Sequence, residues 1–298
     1  VKFSIENITK VTWKGGLFEA VELTDKHRVA IGSFLKAYEE ITFDDLVPKK
    51  GRGLVLNFAG PPGVGKTLAA DAISEKLEKP LYTIRAGDRT RDTYIDERGG
   101  DYASVIDATL SKALAVAACW NAIVLIDEAD IFLHKRSIGD LSRSAVVAVF
   151  LHHLEYYQGI LILTTNRITT YDPAVKSRIQ LTLNFKNLSE SGRRALWEKF
   201  MEKAREKAQE RAQEKAQEKT RERAPERAPE NESKSPYPKL GPPSRSITKL
   251  PYNGREIKNT VQLAQLLAIS QKKDLEWEHV RSIVKSHKDR NAIFDWSR

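Results

Sequence analysis

The sequence predicts an α/β fold in which a five-stranded parallel sheet lies between helices and is followed by a smaller helical domain. Two observations support this prediction. Five short apolar segments between residues 52 and 185 alternate with segments of helical periodicity. From residue 187 onward the pattern becomes helical. Strands that are apolar along their whole length are typical of a parallel sheet covered on both faces.

The elements of the first part of the chain follow in order. The predicted strands span residues 52–60, 80–88, 121–130, 159–166 and 181–185. The predicted helices span residues 25–40, 67–80, 105–120 and 143–157, and Pro80 is expected to end the second of them. We expect residues 51–186 to form the core and residues 1–50 to form a flank that packs on it.

The second part of the chain, residues 187–298, is expected to form one helical domain with a charged insertion at about 202–246. Glutamate recurs at every fourth position from Glu202 to Glu230, and eight Glu face nine Lys and Arg over 202–230. This spacing stacks charges along one helical stripe, and no apolar heptad is present. We therefore expect a solvated helix to about Ala224 and disorder afterwards, serving as a spacer; a partner-binding arm is the alternative.

Composition limits the function classes. The chain has 298 residues, 41% of them hydrophobic, and Lys plus Arg outnumber Asp plus Glu by 49 to 40. A net charge of +9 can signal nucleic acid, but no compact basic block is present, so we do not expect such a partner. The lone cysteine, Cys119, excludes an internal disulfide, is expected to be buried, and suits a reducing intracellular compartment. No run approaches the roughly 20 apolar residues of a membrane span.

Residues 60–67, GPPGVGKT, match the phosphate-binding pattern G-x-x-x-x-G-K-[ST] at every fixed position. The match follows a predicted strand and opens a predicted helix, where backbone N–H groups and the helix N-terminus attract phosphate. Lys66 is expected to reach the β- and γ-phosphates, and the Thr67 hydroxyl to ligate Mg²⁺. The predicted nucleotide contacts along this loop are Gly60, Pro61, Pro62, Gly63, Val64, Gly65, Lys66, Thr67 and Leu68.

Residues 123–130, IVLIDEAD, place three acids directly after a buried strand. A buried carboxylate is costly unless something pairs with it. We expect Asp127 to hold the Mg²⁺ ion, directly or through water, and Glu128 to polarise the attacking water. Solvated acids at a strand end are the alternative, but the two motifs occur together in the expected order. No chemistry is assigned to Asp130.

Together GPPGVGKT, IVLIDEAD and ILTTN resemble the AAA+ ATPases, over most of residues 40–186 and again at 254–298. Within that superfamily DIFLHKRS, FLHHLEYYQGILILTTNR and NGREIKN resemble the AAA modules of large fungal proteins. The resemblance implies a P-loop NTPase core, a small helical lid, and nucleotide bound between them. It also implies hydrolysis of ATP with Mg²⁺ by a homo-oligomeric ring, often a hexamer, that acts on an unidentified protein substrate.

The resemblance gives roles to individual residues. Gly60, Gly65, Lys66 and Thr67 resemble the Walker A motif. Asp127 and Glu128 resemble Walker B, in which Glu128 would be the catalytic base.

Three further residues correspond to family positions outside these motifs. Asn166, at the end of the fourth strand, resembles sensor 1, which helps to place the lytic water; a turn residue is the alternative. Arg178 stands where the family carries an arginine finger that reaches the γ-phosphate of a neighbouring subunit; a surface salt bridge is the alternative. Arg255 resembles sensor 2 of the lid and would contact nucleotide; an exposed helix arginine is the alternative.

The loop at 89–104 lies where many relatives carry an aromatic pore loop that grips polypeptide. Tyr94 could serve, with Ile95 beside it, although no aromatic-apolar-glycine triplet is present. The leading hypothesis is thus an ATP hydrolase that moves a protein partner. The alternatives are a nucleotide-dependent scaffold with little turnover, a small-molecule or nucleoside kinase, and a nucleic-acid motor.

Overall fold

The computed structural model describes residues 11–13, 16, 18, 21, 25–40, 53–85, 102–133, 141–166, 171–222 and 241–293. The chain divides into two compact units, Val1–Asn187 and Leu188–Arg298. Among the described helices, none combines the length and the apolar character that crossing a bilayer requires.

The first unit contains a five-stranded sheet of parallel strands in the order β2-β3-β4-β1-β5, which confirms the predicted α/β fold class. Its described elements are, in chain order, α1 (Asp25–Glu40), β1 (Leu54–Ala59), α2 (Lys66–Lys76), β2 (Leu81–Arg85), α3 (Tyr102–Cys119), β3 (Ile123–Asp127), α4 (Asp130–Leu133), α5 (Leu141–Tyr156), β4 (Ile160–Thr165), α6 (Pro173–Arg178) and β5 (Leu181–Asn184).

Both faces of the sheet are covered, which explains why the strands are apolar throughout. Along β1, Leu56 and Phe58 belong to a core cluster that includes residues of α1 and α2. Val55, the residue before Leu56, belongs to a second cluster with residues of α3 and α5. Successive strand residues point to opposite faces, so a strand between two helical layers needs apolar side chains at nearly every position.

The strand register brings the functional motifs to one edge of the sheet. Ala59 of β1 pairs with Thr165 of β4, and Ile126 of β3 pairs with Leu163 of β4. All strands run in the same direction, so the residues that follow β1, β3 and β4 emerge side by side. Ligands of open α/β sheets bind at this carboxyl edge.

The second unit is helical. Its described helices are α7 (Glu190–Glu222), α8 (Arg245–Thr248), α9 (Gly254–Ser270) and α10 (Trp277–Ile293). Its core is built around Trp197 and Met201 of α7, Ile257 and Val261 of α9, and Val280 of α10, all of them buried.

The predicted charged insertion, at about 202–246, makes contacts near both of its ends. Near its start, Arg205 Nε donates to the Leu275 carbonyl at 2.9 Å. Near its end, the Gly241 carbonyl accepts from Trp277 Nε1 at 2.7 Å. Both ends therefore make contacts within the helical unit. Residues 223–240 of this stretch lie outside the described residues.

Other differences are local. Helix α2 ends at Lys76 instead of residue 80, because Glu78 adopts a left-handed conformation with φ of 52° that cannot continue a helix. Helices α4, α6 and α8 were not predicted, since four to six residues are too few to show a helical period. Cys119 is exposed at the end of α3, so the expectation of a buried cysteine is wrong.

Candidate active site

The loop that joins β1 to α2 depends on glycine for two different reasons. Gly60 has φ of 153°, and a Cβ there would lie 2.3 Å from the Phe185 carbonyl oxygen, so the end of β5 excludes any side chain. Gly65 has φ of 98°, and apart from its own chain neighbours no atom of the described residues lies within 4 Å of a Cβ built on it. The first glycine permits close packing inside the protein, and the second leaves the backbone accessible to a phosphate.

Lys66, the first residue of α2, lies in the centre of this loop. Its side chain is 8% exposed, and Nζ donates to the carbonyl oxygens of Gly60 and Pro61, both at 2.7 Å. Nζ also donates to Oδ1 of Asn166 at 2.9 Å. The ammonium group is thereby oriented by three oxygen atoms, one of them at the end of β4. Two residues predicted from separate motifs, Lys66 and Asn166, thus lie in direct contact.

The Thr67 hydroxyl faces the Asp127 carboxylate across the same edge of the sheet. Thr67 Oγ1 lies 3.2 Å from Oδ1 and 3.4 Å from Oδ2 of Asp127. A hydroxyl and a single carboxylate fit Mg²⁺ in an ATPase site, where the nucleotide phosphates and water complete the coordination. A cage made of protein side chains is not seen, since the described residues contain no group of three His, Cys, Asp or Glu suited to a metal.

The negative charge around this pair also suits a cation. Asp71 lies one helical turn after Thr67 on α2. Partial burial raises the pKa of Asp71, and the neighbouring carboxylates of Asp127 and Glu75 raise it further. The carboxylates therefore repel one another, and a divalent cation near Asp127 would relieve that repulsion.

Thr164 is a residue that the sequence interpretation missed. Its hydroxyl donates to Oδ1 of Asp127 in a short hydrogen bond, and its Oγ1 accepts the backbone N–H of Glu128 at 3.0 Å. Its carbonyl accepts the N–H of Ala129 at 2.8 Å. One signal could have identified it: the segment ILILTT ends an aliphatic buried strand in two hydroxyl side chains.

Glu128 is exposed at the end of β3 and has φ of 57°. The left-handed region is uncommon for a residue with a side chain and often occurs at functional sites. The chain leaves β3 in a turn directly after Asp127.

Asp130 lies in a separate hydrogen-bonded group. It accepts from the Thr165 hydroxyl at 2.5 Å, while Asn57 Nδ2 donates to the Tyr171 hydroxyl at 3.2 Å. Burial raises the pKa of Tyr171, and hydrogen bonds to Asn57 and Thr165 partly offset this rise. Thr164 and Thr165 are neighbours in a strand, so they point to opposite faces of the sheet. Asp127 and Asp130 are thus held on different sides of β4.

Residues 56–187 match the family model described as ATPase family associated with various cellular activities (AAA). This part of the chain is an AAA ATPase domain. The match covers most of β1, the phosphate-binding loop, β3 and β4, and therefore every residue of the site described so far.

Curated relatives agree with this assignment. A protein named as a 26S proteasome regulatory subunit homologue from Methanothermobacter marburgensis is 33% identical over 153 residues, which are 49% of this chain and 38% of that protein. The mitochondrial Lon protease homologue 1 of Dictyostelium discoideum is 30% identical over 157 residues, 50% of this chain and 16% of that protein. The chain thus spans well under half the length of the curated relatives it matches.

Arg178 of the AAA domain lies at the end of α6. Its Nη2 lies 3.2 Å from Oε2 of Glu155, and its Nη1 donates to the Ala174 carbonyl at 3.0 Å. Both charged side chains are 32% exposed. Asp172, which is 2% exposed, caps this helix by accepting the Ala174 N–H at 2.9 Å. Within a single chain Arg178 thus forms the salt bridge that was its alternative interpretation.

Arg255 belongs to the second unit. It is exposed in the first turn of α9, next to a capping box in which the side chains of Asn253 and Glu256 bond each other's backbone N–H. Its predicted contact with nucleotide stays a prediction. Most of the predicted pore loop, residues 89–101 including Tyr94, lies outside the described residues.

Proposed function

We propose that this AAA domain binds ATP with Mg²⁺ and hydrolyses it to ADP and phosphate. One observation carries the proposal: Lys66, Thr67, Asp127 and Asn166 meet at the carboxyl edge of the sheet. Glu128, the residue after Asp127, lies next to this group. Phosphoryl transfer to water requires a cation for phosphate, oxygen ligands for a metal, an amide and a further carboxylate.

In the proposed mechanism the loop N–H groups and Lys66 hold the phosphates of ATP. Thr67 and Asp127 would hold Mg²⁺, which when bound neutralises charge on the phosphate oxygens. The Glu128 carboxylate accepts a proton from water as the water oxygen bonds to the γ-phosphorus and the bond to the ADP oxygen breaks. Asn166, whose Oδ1 is engaged by Lys66, can donate from Nδ2 to the water or the γ-phosphate.

We also propose that the domain works as a ring of identical subunits, with six as the number that the family resemblance suggests. Arg178 is partly exposed at the end of a short helix, where a guanidinium could leave Glu155 and reach the nucleotide of a neighbouring subunit. The relatives are named as a proteasome regulatory subunit homologue and as Lon proteases, which supports a protein as the partner. A reducing intracellular compartment suits the unpaired Cys119.

The proposal is tested by steady-state phosphate release from ATP over a range of protein concentrations, with Mg²⁺ or with excess EDTA. The matched control is Lys66→Ala, which removes the phosphate-binding ammonium. We expect Mg²⁺-dependent turnover whose rate per subunit rises with concentration, and we expect none from the variant.

Two other results would overturn this function. Tight ATP binding with phosphate release equal to that of Lys66→Ala at all concentrations would favour the scaffold. ADP formation that requires an added small-molecule acceptor would favour a kinase.

A further inference from the structure

We propose that Thr164 is a positioning residue that holds both acids of the Asp127–Glu128 pair with one hydroxyl group. The inference rests on the proposed function, because it concerns how the hydrolytic site is kept in order. Thr164 is not part of the phosphate-binding loop and is one strand away from the acids it contacts.

The geometry uses the Thr164 hydroxyl both as a donor and as an acceptor. A threonine hydroxyl has one hydrogen to donate and lone pairs to accept. The hydrogen of Thr164 goes to Oδ1 of Asp127, and Oγ1 accepts the N–H of Glu128. The side chain is 1% exposed, so water is poorly placed to substitute for either bond.

The two bonds have different consequences. The bond to Asp127 fixes the rotation of its carboxylate, so that one oxygen edge is presented to Thr67 and to the proposed metal position. Partners that orient a metal-binding carboxylate are known to affect metal affinity and activity.

The bond to Glu128 restrains a strained backbone. A residue with a Cβ is destabilised in the left-handed conformation, and Glu128 has φ of 57°. A hydrogen bond from its N–H to Thr164 stabilises that conformation, and the conformation sets the direction in which the Glu128 side chain leaves β3.

Thr165 provides a matched control. It is also 1% exposed and also donates a hydroxyl hydrogen to an acid, Asp130, but on the opposite face of the sheet. Replacing either threonine by valine removes one buried hydroxyl from adjacent positions of β4. Only the change at 164 removes a contact to Asp127 and Glu128.

The experiment compares Thr164→Val, Thr164→Ser and Thr165→Val with the wild-type chain. Thermal melts test whether each variant folds. If Thr164→Val does not fold, Thr164→Ala takes its place. We expect Thr164→Val to lower kcat about 10- to 100-fold and to raise the half-saturating Mg²⁺ concentration. Its affinity for fluorescent ADP in EDTA should stay within about twofold, because Thr164 is not in the phosphate-binding loop. Thr164→Ser keeps the hydroxyl and should recover most of the activity, and Thr165→Val should stay within about threefold of wild type.

Several results would overturn the inference. These are wild-type kcat and Mg²⁺ dependence in Thr164→Val, no recovery in Thr164→Ser, or an equal loss in Thr165→Val.

A second readout separates this inference from the proposed function: the gain in affinity for a non-hydrolysable ATP analogue when Mg²⁺ is added. If the wild-type chain shows this gain without turnover, the proposed hydrolysis fails. A loss of the gain in Thr164→Val then still supports the role of Thr164 toward Asp127, and an unchanged gain contradicts it.

Discussion

The ammonium of Lys66 lies 2.9 Å from the side-chain oxygen of Asn166, which joins the phosphate-binding loop to the end of β4. The two residues are 100 positions apart in the sequence. This contact places the amide group beside the cation that would hold the β- and γ-phosphates. A change at Asn166 is therefore expected to act on the γ-phosphate end of the site.

Two substitutions at Asn166 should have different effects. Asn166→Ala removes an oriented polar group and should lower kcat about 100-fold, with a smaller change in ATP affinity. Asn166→Asp puts a negative charge beside Lys66 and should weaken ATP binding, because the new carboxylate competes with phosphate for the ammonium. Steady-state kinetics and fluorescent-nucleotide titrations measure both effects. Equal ATP affinity in the two variants would contradict this role of the Lys66–Asn166 contact.

The proposed action of Arg178 across a subunit interface predicts complementation. Arg178→Ala subunits lack the finger, and Lys66→Ala subunits lack the phosphate-binding cation, so each alone should turn over at least about 100-fold more slowly. Mixed rings contain interfaces where an intact loop faces an intact Arg178, and their phosphate release should partly recover.

Glu155→Gln is the control, since it removes the partner of Arg178 within the chain and should not lower the rate. If the mixture releases no more phosphate than its separate components, under conditions where mixed assembly is verified, Arg178 does not act in trans.

Gly60→Ala should destabilise the AAA domain. The new Cβ would lie 2.3 Å from the Phe185 carbonyl oxygen, and φ of 153° is unfavourable for alanine. We expect a loss of about 3 kcal/mol or a failure to fold, measured by denaturant unfolding. Gly32→Ala is the matched control: it lies in helix α1, and its Cβ would meet only Lys76 Nζ at 3.8 Å among the described atoms. That variant should be unchanged or more stable by about 0.5–1 kcal/mol, and equal losses in both would contradict the account.

Tyr157 should make the stability of the fold depend on alkaline pH. Its side chain is 8% exposed, and its hydroxyl has no hydrogen-bond partner among the described residues. Burial, with a smaller contribution from Tyr38, raises the pKa of Tyr157 from 10.0 to about 12.

The protonated form is the one the fold favours, so the contribution is fully present below pH 10 and is lost as pH rises toward 12. The loss should reach about 2 kcal/mol at the upper end. Tyr157→Phe should lack this part of the decline and be no less stable at neutral pH. Parallel stability curves for the two proteins between pH 9 and pH 12 would show that Tyr157 is not responsible.

Much of this arrangement could be predicted from the sequence, because its signals are local. Lys66 and Thr67 follow fixed glycines, and Asp127 follows an aliphatic run, so one short window identifies each motif. Continuous apolar strands indicated a parallel sheet because both faces must be covered.

Thr164 carried only a weaker signal, the two hydroxyl side chains that end an aliphatic strand. In a strand it has the properties of an ordinary β-forming residue, and its importance arises only from the pairing of β4 with β3. The contact between Arg205 and Leu275 could not be predicted for a related reason, since it joins positions distant in sequence.

The central claim is that Glu128 is the base of an ATP hydrolase, and Glu128→Gln tests it most directly. The substitution keeps the shape of the side chain and removes the group that accepts a proton. Fluorescent-nucleotide binding and single-turnover hydrolysis should be measured on the same preparation of variant and wild type. The account predicts ATP affinity within about threefold of wild type and hydrolysis slower by about 100-fold or more. Hydrolysis by Glu128→Gln at the wild-type rate would show that Glu128 is not the base.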